Sequence, residues 1–163
     1  MAAAFAVATV FTWNTAERLR SEIAATRAQL DLAQRDLEEA RRWAAVLDSP
    51  HARSVSLTPT PQGMGIMRAR ATFDPRARRA VIAFENLVTP AGSDFQLWAL
   101  RGGGVASMGL VRADAAGRAI VRLEDVGDPA TLAGFAVSLE RAGGSLKPDA
   151  PEGPVVMAGK FGG

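Results

Sequence analysis

The chain has no cysteine and no tyrosine, and a single histidine, His51, in 163 residues. Without thiols there is no disulfide framework, no thiol catalysis and no thiolate metal site. One imidazole excludes, by arithmetic, most histidine-based metal centres and Ser-His-Asp triads. Lysine is nearly missing as well, with Lys147 and Lys160 standing against a large excess of arginine. The formal net charge is only +2, and no basic run interleaved with aromatics occurs, so no nucleic-acid partner is expected. No apolar run reaches the ~20 residues that cross a bilayer as a helix. What the chain does have is 48% apolar residues, enough to bury a core in one domain with an appendage.

Ala2 to Trp13 is apolar and uncharged, but lacks the basic start and small-residue cleavage site of a signal peptide. Three readings compete: the outer part of a transmembrane helix, a buried core helix, or a disordered start. Trp13 stands where an interfacial aromatic would, with polar residues directly after it. Residues 1–13 are therefore read as a truncated transmembrane segment and membrane anchor. Residues 14–49 form a helical stalk or linker, free of Gly and Pro as far as Asp48. Along it Leu19, Ile23, Thr26, Leu30, Ala33, Leu37, Ala40, Ala44 and Leu47 keep a 4-3 spacing, the seam of a coiled coil. Asp31 with Arg35 and Glu38 with Arg42 are acid-first i,i+4 pairs that suit a solvated helix. Asn14 with Glu17 makes a capping box if the helix starts there. Pro50 ends it. Two readings stand for the stripe. It packs on the chain's own β domain, or Leu19, Ile23, Leu30, Leu37 and Leu47 form the seam of a homodimer. A helix about 50 Å long at 1.5 Å per residue is long for one small domain to cover.

From residue 50 to 163 the period changes to that of strands. Met67, Ala69, Ala71 and Phe73 alternate with Arg68, Arg70 and Thr72, which predicts a half-buried strand. Ala80 to Phe84 suits a central strand. Phe95 to Leu100, Val105 to Val111, Ala119 to Leu123, Phe135 to Glu140 and Val155 to Ala158 follow. Pro59 and Pro61 place a first strand, near Ser54 to Thr58, at an edge. Asp114 to Gly117 reads as a hairpin loop, and Asp128 to Leu132 as one helical turn with Pro129 in first position. Seven or eight short strands with turns every 8–14 residues predict an antiparallel β-sandwich.

No catalytic, cofactor-binding or metal-ligating set emerges, and no enzyme is expected. His51 reads as a surface loop residue. Glu124, Asp125 and Asp128 lack the spacing of a calcium loop and read as a solvated turn. Gly102-Gly103-Gly104 is a turn, since no Lys-Ser/Thr follows it. Arg68, Arg70, Arg76, Arg78 and Arg79 form a basic strip: solvated edge protection, or a surface for an acidic partner or lipid headgroups. Trp98 reads as a core anchor, because the sheet buries both faces at Phe95 to Leu100. Gly143-Gly144 supplies positive φ for a sharp turn.

Phe95-Gln96-Leu97-Trp98, the run Val137 to Ser145 and the ending Gly153 to Gly159 together resemble the C-terminal, extracytoplasmic domain of the anti-sigma-K factor family. The resemblance runs from about Ser49 to Phe161. Gln96, Leu97, Trp98, Gly143, Gly144 and Ser145 carry it, and residue by residue they read as scaffold. The family usually has Tyr where this chain has Phe95, and often Pro where it has Arg141-Ala142. The resemblance implies a bacterial regulator of an extracytoplasmic-function sigma factor, single-pass in the plasma membrane with this domain periplasmic. The family binds its sigma factor through an N-terminal cytoplasmic domain not contained in these residues. An envelope protease that starts regulated intramembrane proteolysis is a second implied partner. The junction from Ala44 to Pro61 is then the expected point of control. The alternative from another class is a structural or ligand-binding envelope module on a coiled-coil stalk.

Overall fold

A helix without an internal breaker runs as far as its first proline allows. In the computed structural model, which describes residues 2–63 and 66–162 with side chains from Glu17 onward, α1 spans Ala2–Leu47. Asn14 lies inside it, so the capping box has no helix start to cap. The side chains of the proposed membrane segment lie outside the described residues; among those described, no helix is long and apolar enough to cross a membrane. The chain divides into two units, residues 1–42 and 43–163.

In the first unit every described side chain is exposed. Glu17 and Arg20 form an ion pair of 3.4 Å, at i,i+3 rather than at the acid-first i,i+4 positions. The seam residues Leu19, Ile23, Leu30, Leu37 and Leu47 are 49% to 57% exposed. The side chains that α1 does bury are Trp43 and Val46, which belong to the second unit and lie off the seam.

The second unit is mainly β. Its eight strands are β1 (Arg53–Pro59), β2 (Arg68–Asp74), β3 (Arg79–Glu85), β4 (Ser93–Arg101), β5 (Gly104–Val111), β6 (Ala119–Leu123), β7 (Leu132–Arg141) and β8 (Val155–Lys160). All neighbours pair antiparallel, in the order β5-β4-β7-β8-β1-β2-β3-β6. The outer strands β5 and β6 approach each other, so the sheet is nearly closed and barrel-like.

The strand order departs from the sequence reading in two places. The first strand is interior, because β1 pairs with β2 over Arg53 to Leu57 and then with β8 at Thr58 and Pro59. Pro59 is tolerated as the last residue of the strand, where a missing N–H costs little of the ladder. Asp114 to Gly117 does turn the chain tightly: the Gly117 N–H donates to the Asp114 carbonyl at 2.9 Å. It makes no hairpin, because β6 pairs with β3 instead of β5. Asp128 to Thr131 likewise forms a turn, closed by Thr131 N–H on the Asp128 carbonyl at 3.2 Å, and strand resumes at Leu132.

The interior follows strand alternation. Ala69, Ala71 and Phe73 meet Ala80, Ile82 and Phe84 from β3, with Leu97, Phe135, Val137 and Met157 from the other half. Ala80 to Phe84 is thus half-buried, with Val81 and Ala83 on the outer side. Burying one such large apolar side chain is worth about 1.5–3 kcal/mol. Phe161 closes one part of the core against Phe73 and Phe135, at ring separations of 5.9 and 6.0 Å.

Candidate functional site

Strand alternation places Phe95, Leu97 and Ala99 inward and Gln96 and Trp98 on the opposite face of β4. The neighbouring β7 sets Ala136 beside Trp98, Ser138 beside Gln96, and Glu140 beside Asp94. That second face is buried too: Trp98 is 1% exposed, Ser138 0% and Glu140 2%. A buried carboxylate and hydroxyl demand partners, and here they form a chain. The Trp98 indole N–H donates to Ser138 Oγ at 2.8 Å, and the Ser138 hydroxyl donates to Glu140 Oε1 at 2.5 Å. Glu140 Oε2 accepts the backbone N–H of Gly153 at 2.8 Å and of Glu152 at 3.3 Å.

A parallel set of bonds begins at Gln96. Its Oε1 accepts the Ser145 N–H, and its Nε2 donates to Ser107 Oγ, both at 2.7 Å. The Gly143 N–H donates to Asp94 Oδ2 at 2.8 Å, and the Ser107 N–H to the Pro148 carbonyl at 3.0 Å. The segment from Ala142 to Pro154 is therefore clipped across β4, β5 and β7. Gly144 has φ +89, and a Cβ there would lie 2.6 Å from Gln96 Oε1. At Gly153 a Cβ would sit 1.9 Å from the Leu139 carbonyl oxygen. All six motif residues thus converge: Leu97 in the core, the other five in or beside this latch. Ser138 and Glu140, which lie in the run Val137 to Ser145 but were given no role there, are its centre.

The junction between helix and barrel is held by other residues. Trp43 is 7% exposed, and its indole N–H is buried without a hydrogen-bond partner among the described residues. The Arg122 guanidinium lies 5.9 Å from its ring, within cation–π range. After Leu47 the chain turns through Asp48 to Ala52, whose N–H donates to the Ser49 carbonyl at 3.0 Å. Burial pushes the Asp74 carboxyl up. The hydrogen bonds it accepts from Ser49 and from the N–H groups of Arg76 and Ala77, with the field of His51, outweigh this and hold it below its ordinary value. His51 itself is exposed in the loop. Arg53 opens β1 with its guanidinium 5.1 Å from the Phe161 ring and 2.8 Å from the Gly162 carbonyl.

The basic strip is divided. Arg78 grips Asp125 through both carboxylate oxygens at 2.7–2.8 Å, and Arg79 reaches Glu124 at 2.9 Å. The Gly127 N–H and the Arg78 guanidinium hold Asp125 below the usual carboxylate range. Two members of the acidic cluster are therefore committed to arginine. Arg68 and Arg70 instead line an open groove of about 440 Å³ where β1 leaves β2, together with Glu85.

The family model described as "Anti-sigma-K factor rskA, C-terminal" matches residues 1–155. The chain belongs to the anti-sigma-K factor C-terminal family. The match takes in the whole of α1, which the resemblance read from the sequence did not. It ends at Val155, so the strand residues Val156 to Gly159 stand outside it. Anti-sigma factors regulate transcription by acting on a sigma factor, a regulatory and not an enzymatic class. Neither the curated proteins nor the solved structures contain a match to this anti-sigma-K factor domain.

Proposed function

We propose that this domain is the extracytoplasmic sensory or shielding part of a single-pass, membrane-anchored anti-sigma factor. In this reading residues 1–13 are the outer end of the membrane anchor, 14–49 the stalk, and 50–163 the domain outside. Contact with the sigma factor belongs to an N-terminal domain of the whole protein. The task of these residues is to control when an envelope protease reaches the stalk and so starts regulated intramembrane proteolysis.

The observation that carries the reading is the family match together with the construction of the junction. A folded domain beside a cleavable segment governs cleavage by how often the junction opens. The helix end that leads into the junction from Ala44 to Pro61 is docked by two buried side chains, Trp43 and Val46. Burying the Trp43 side chain gains about 3 kcal/mol, but stranding its indole N–H forfeits about 1–3 kcal/mol. Val46, 1% exposed, then supplies much of the docking, a small anchor of the kind a release point needs.

The test exploits the absence of cysteine. Ser54 and Thr72 face each other across β1 and β2 with hydroxyls 3.0 Å apart, so S54C/T72C can lock the start of β1. Oxidised full-length protein in membranes should resist signal-induced cleavage between residues 44 and 61, and reduction should restore it. Unchanged cleavage in the oxidised state would overturn the shielding role and leave the envelope-module alternative.

A further inference from the structure

The exposed seam of α1 carries a charge pattern that identifies its partner. With Ile23, Leu30, Leu37 and Ala44 as the a positions, Leu19, Thr26, Ala33, Ala40 and Leu47 are the d positions. The residues following d within the helix, at e, are Arg20, Arg27, Gln34 and Arg41. The residues preceding a, at g, are Glu22, Gln29, Asp36 and Trp43. Every charge at e is positive and every charge at g is negative.

In a parallel two-stranded coiled coil each g residue faces the e residue five positions further along the other helix. Here that pairs Glu22 with Arg27, Gln29 with Gln34, and Asp36 with Arg41, each twice across the dimer. In an antiparallel pair e faces e and g faces g, which would set arginine against arginine and acid against acid. The pattern favours one orientation and penalises the other, the usual device by which coiled coils select partners.

We propose that α1 pairs with α1 of a second copy of this chain as a parallel, in-register, two-stranded coiled coil over Leu19 to Ala40. Three further features fit. The polar d residue, Thr26, already donates its hydroxyl to the Glu22 carbonyl at 2.8 Å, so its methyl group can face the seam without stranding a donor. Arg20, whose g partner would be Thr15, is served within its own helix by Glu17. Trp43 and Val46, buried in the β unit, use g and c positions, and Ala40, Ala44 and Leu47 remain exposed. Parallel pairing also brings the two residue-1 ends to the same end of the stalk, as two anchors in one membrane require.

The inference deepens the stalk assigned above and does not depend on proteolysis. The experiment therefore reads association alone. Sedimentation equilibrium of the full chain in a mild detergent should give the mass of two chains, and that of one chain for either E22R/D36R or R27E/R41E. Mixing the two variants should restore the two-chain mass, because each then offers the other complementary e and g charges. Introduced as the sole thiol, L19C should close an interchain disulfide under mild oxidation, since in-register parallel helices bring the two sulfurs together. A one-chain wild type, failure of the mixture to recover, or an uncrosslinked L19C dimer each overturns the proposal. Circular dichroism of the variants guards against simple unfolding.

Discussion

The Glu140 carboxylate is buried yet joined to Trp98 through Ser138 and to the loop through Gly153. Hydrogen bonds to a charged acceptor are worth about 1.5–3 kcal/mol. Glu140→Ala should therefore destabilise the domain by about 3 kcal/mol in urea unfolding. Glu140→Gln, which keeps one acceptor oxygen, should cost less. Asp74 belongs to the same scale with a different readout. Because its pKa is lowered in the native protein, it binds a proton more readily when unfolded. The stability it lends is complete above the ordinary carboxylate value and lost as the pH falls through the native value. Asp74→Asn should flatten the acid side of a plot of melting temperature against pH, and an unchanged slope would show that Asp74 does not link junction to barrel. Neither residue was legible as a site. Glu140 and Ser138 sit at the outward positions of an alternating strand, and alternation alone says polar residues there are solvated. Only knowledge that a loop covers that face reverses the conclusion.

Among the elements, α1 was the most legible, because its length and 4-3 stripe depend on local spacing and need no tertiary partner. Its end was not. Trp43 and Val46 lie off the stripe on a charged face, and the sole sequence signal was an indole among arginines and glutamates. The strands were found near their correct positions, since alternation and turn residues mark them. Their neighbours were not, because pairing order is a long-range property: nothing near Asp114 tells β6 to add to β3. The helix end offers a sharp test of the release point. Trp43→Phe keeps most of the buried area and removes the stranded N–H, so it should leave the melting temperature unchanged or higher. Trp43→Ala should expose the junction to limited proteolysis after residue 43 while the barrel core stays protected. Equal proteolysis of the two variants would mean that the buried ring is not what holds the helix end.

At the scale of the molecule, a composition poor in thiol, imidazole and lysine set an expectation about chemistry but named no family. The motifs identified the family, yet in the structure they build the latch that holds one long loop to β4 and β7. The regulatory reading consequently rests on where the helix meets the barrel, at residues outside the motifs. The nearly closed sheet is two four-stranded halves, and among the described residues these are laddered together at two residue pairs, Thr58 with Ala158 and Pro59 with Met157. Both pairs belong to β1, the strand reached directly from the stalk. Mechanical tension along the helix would thus enter the fold at its stitching thread, loading the strand that joins the two halves ahead of the apolar core they share.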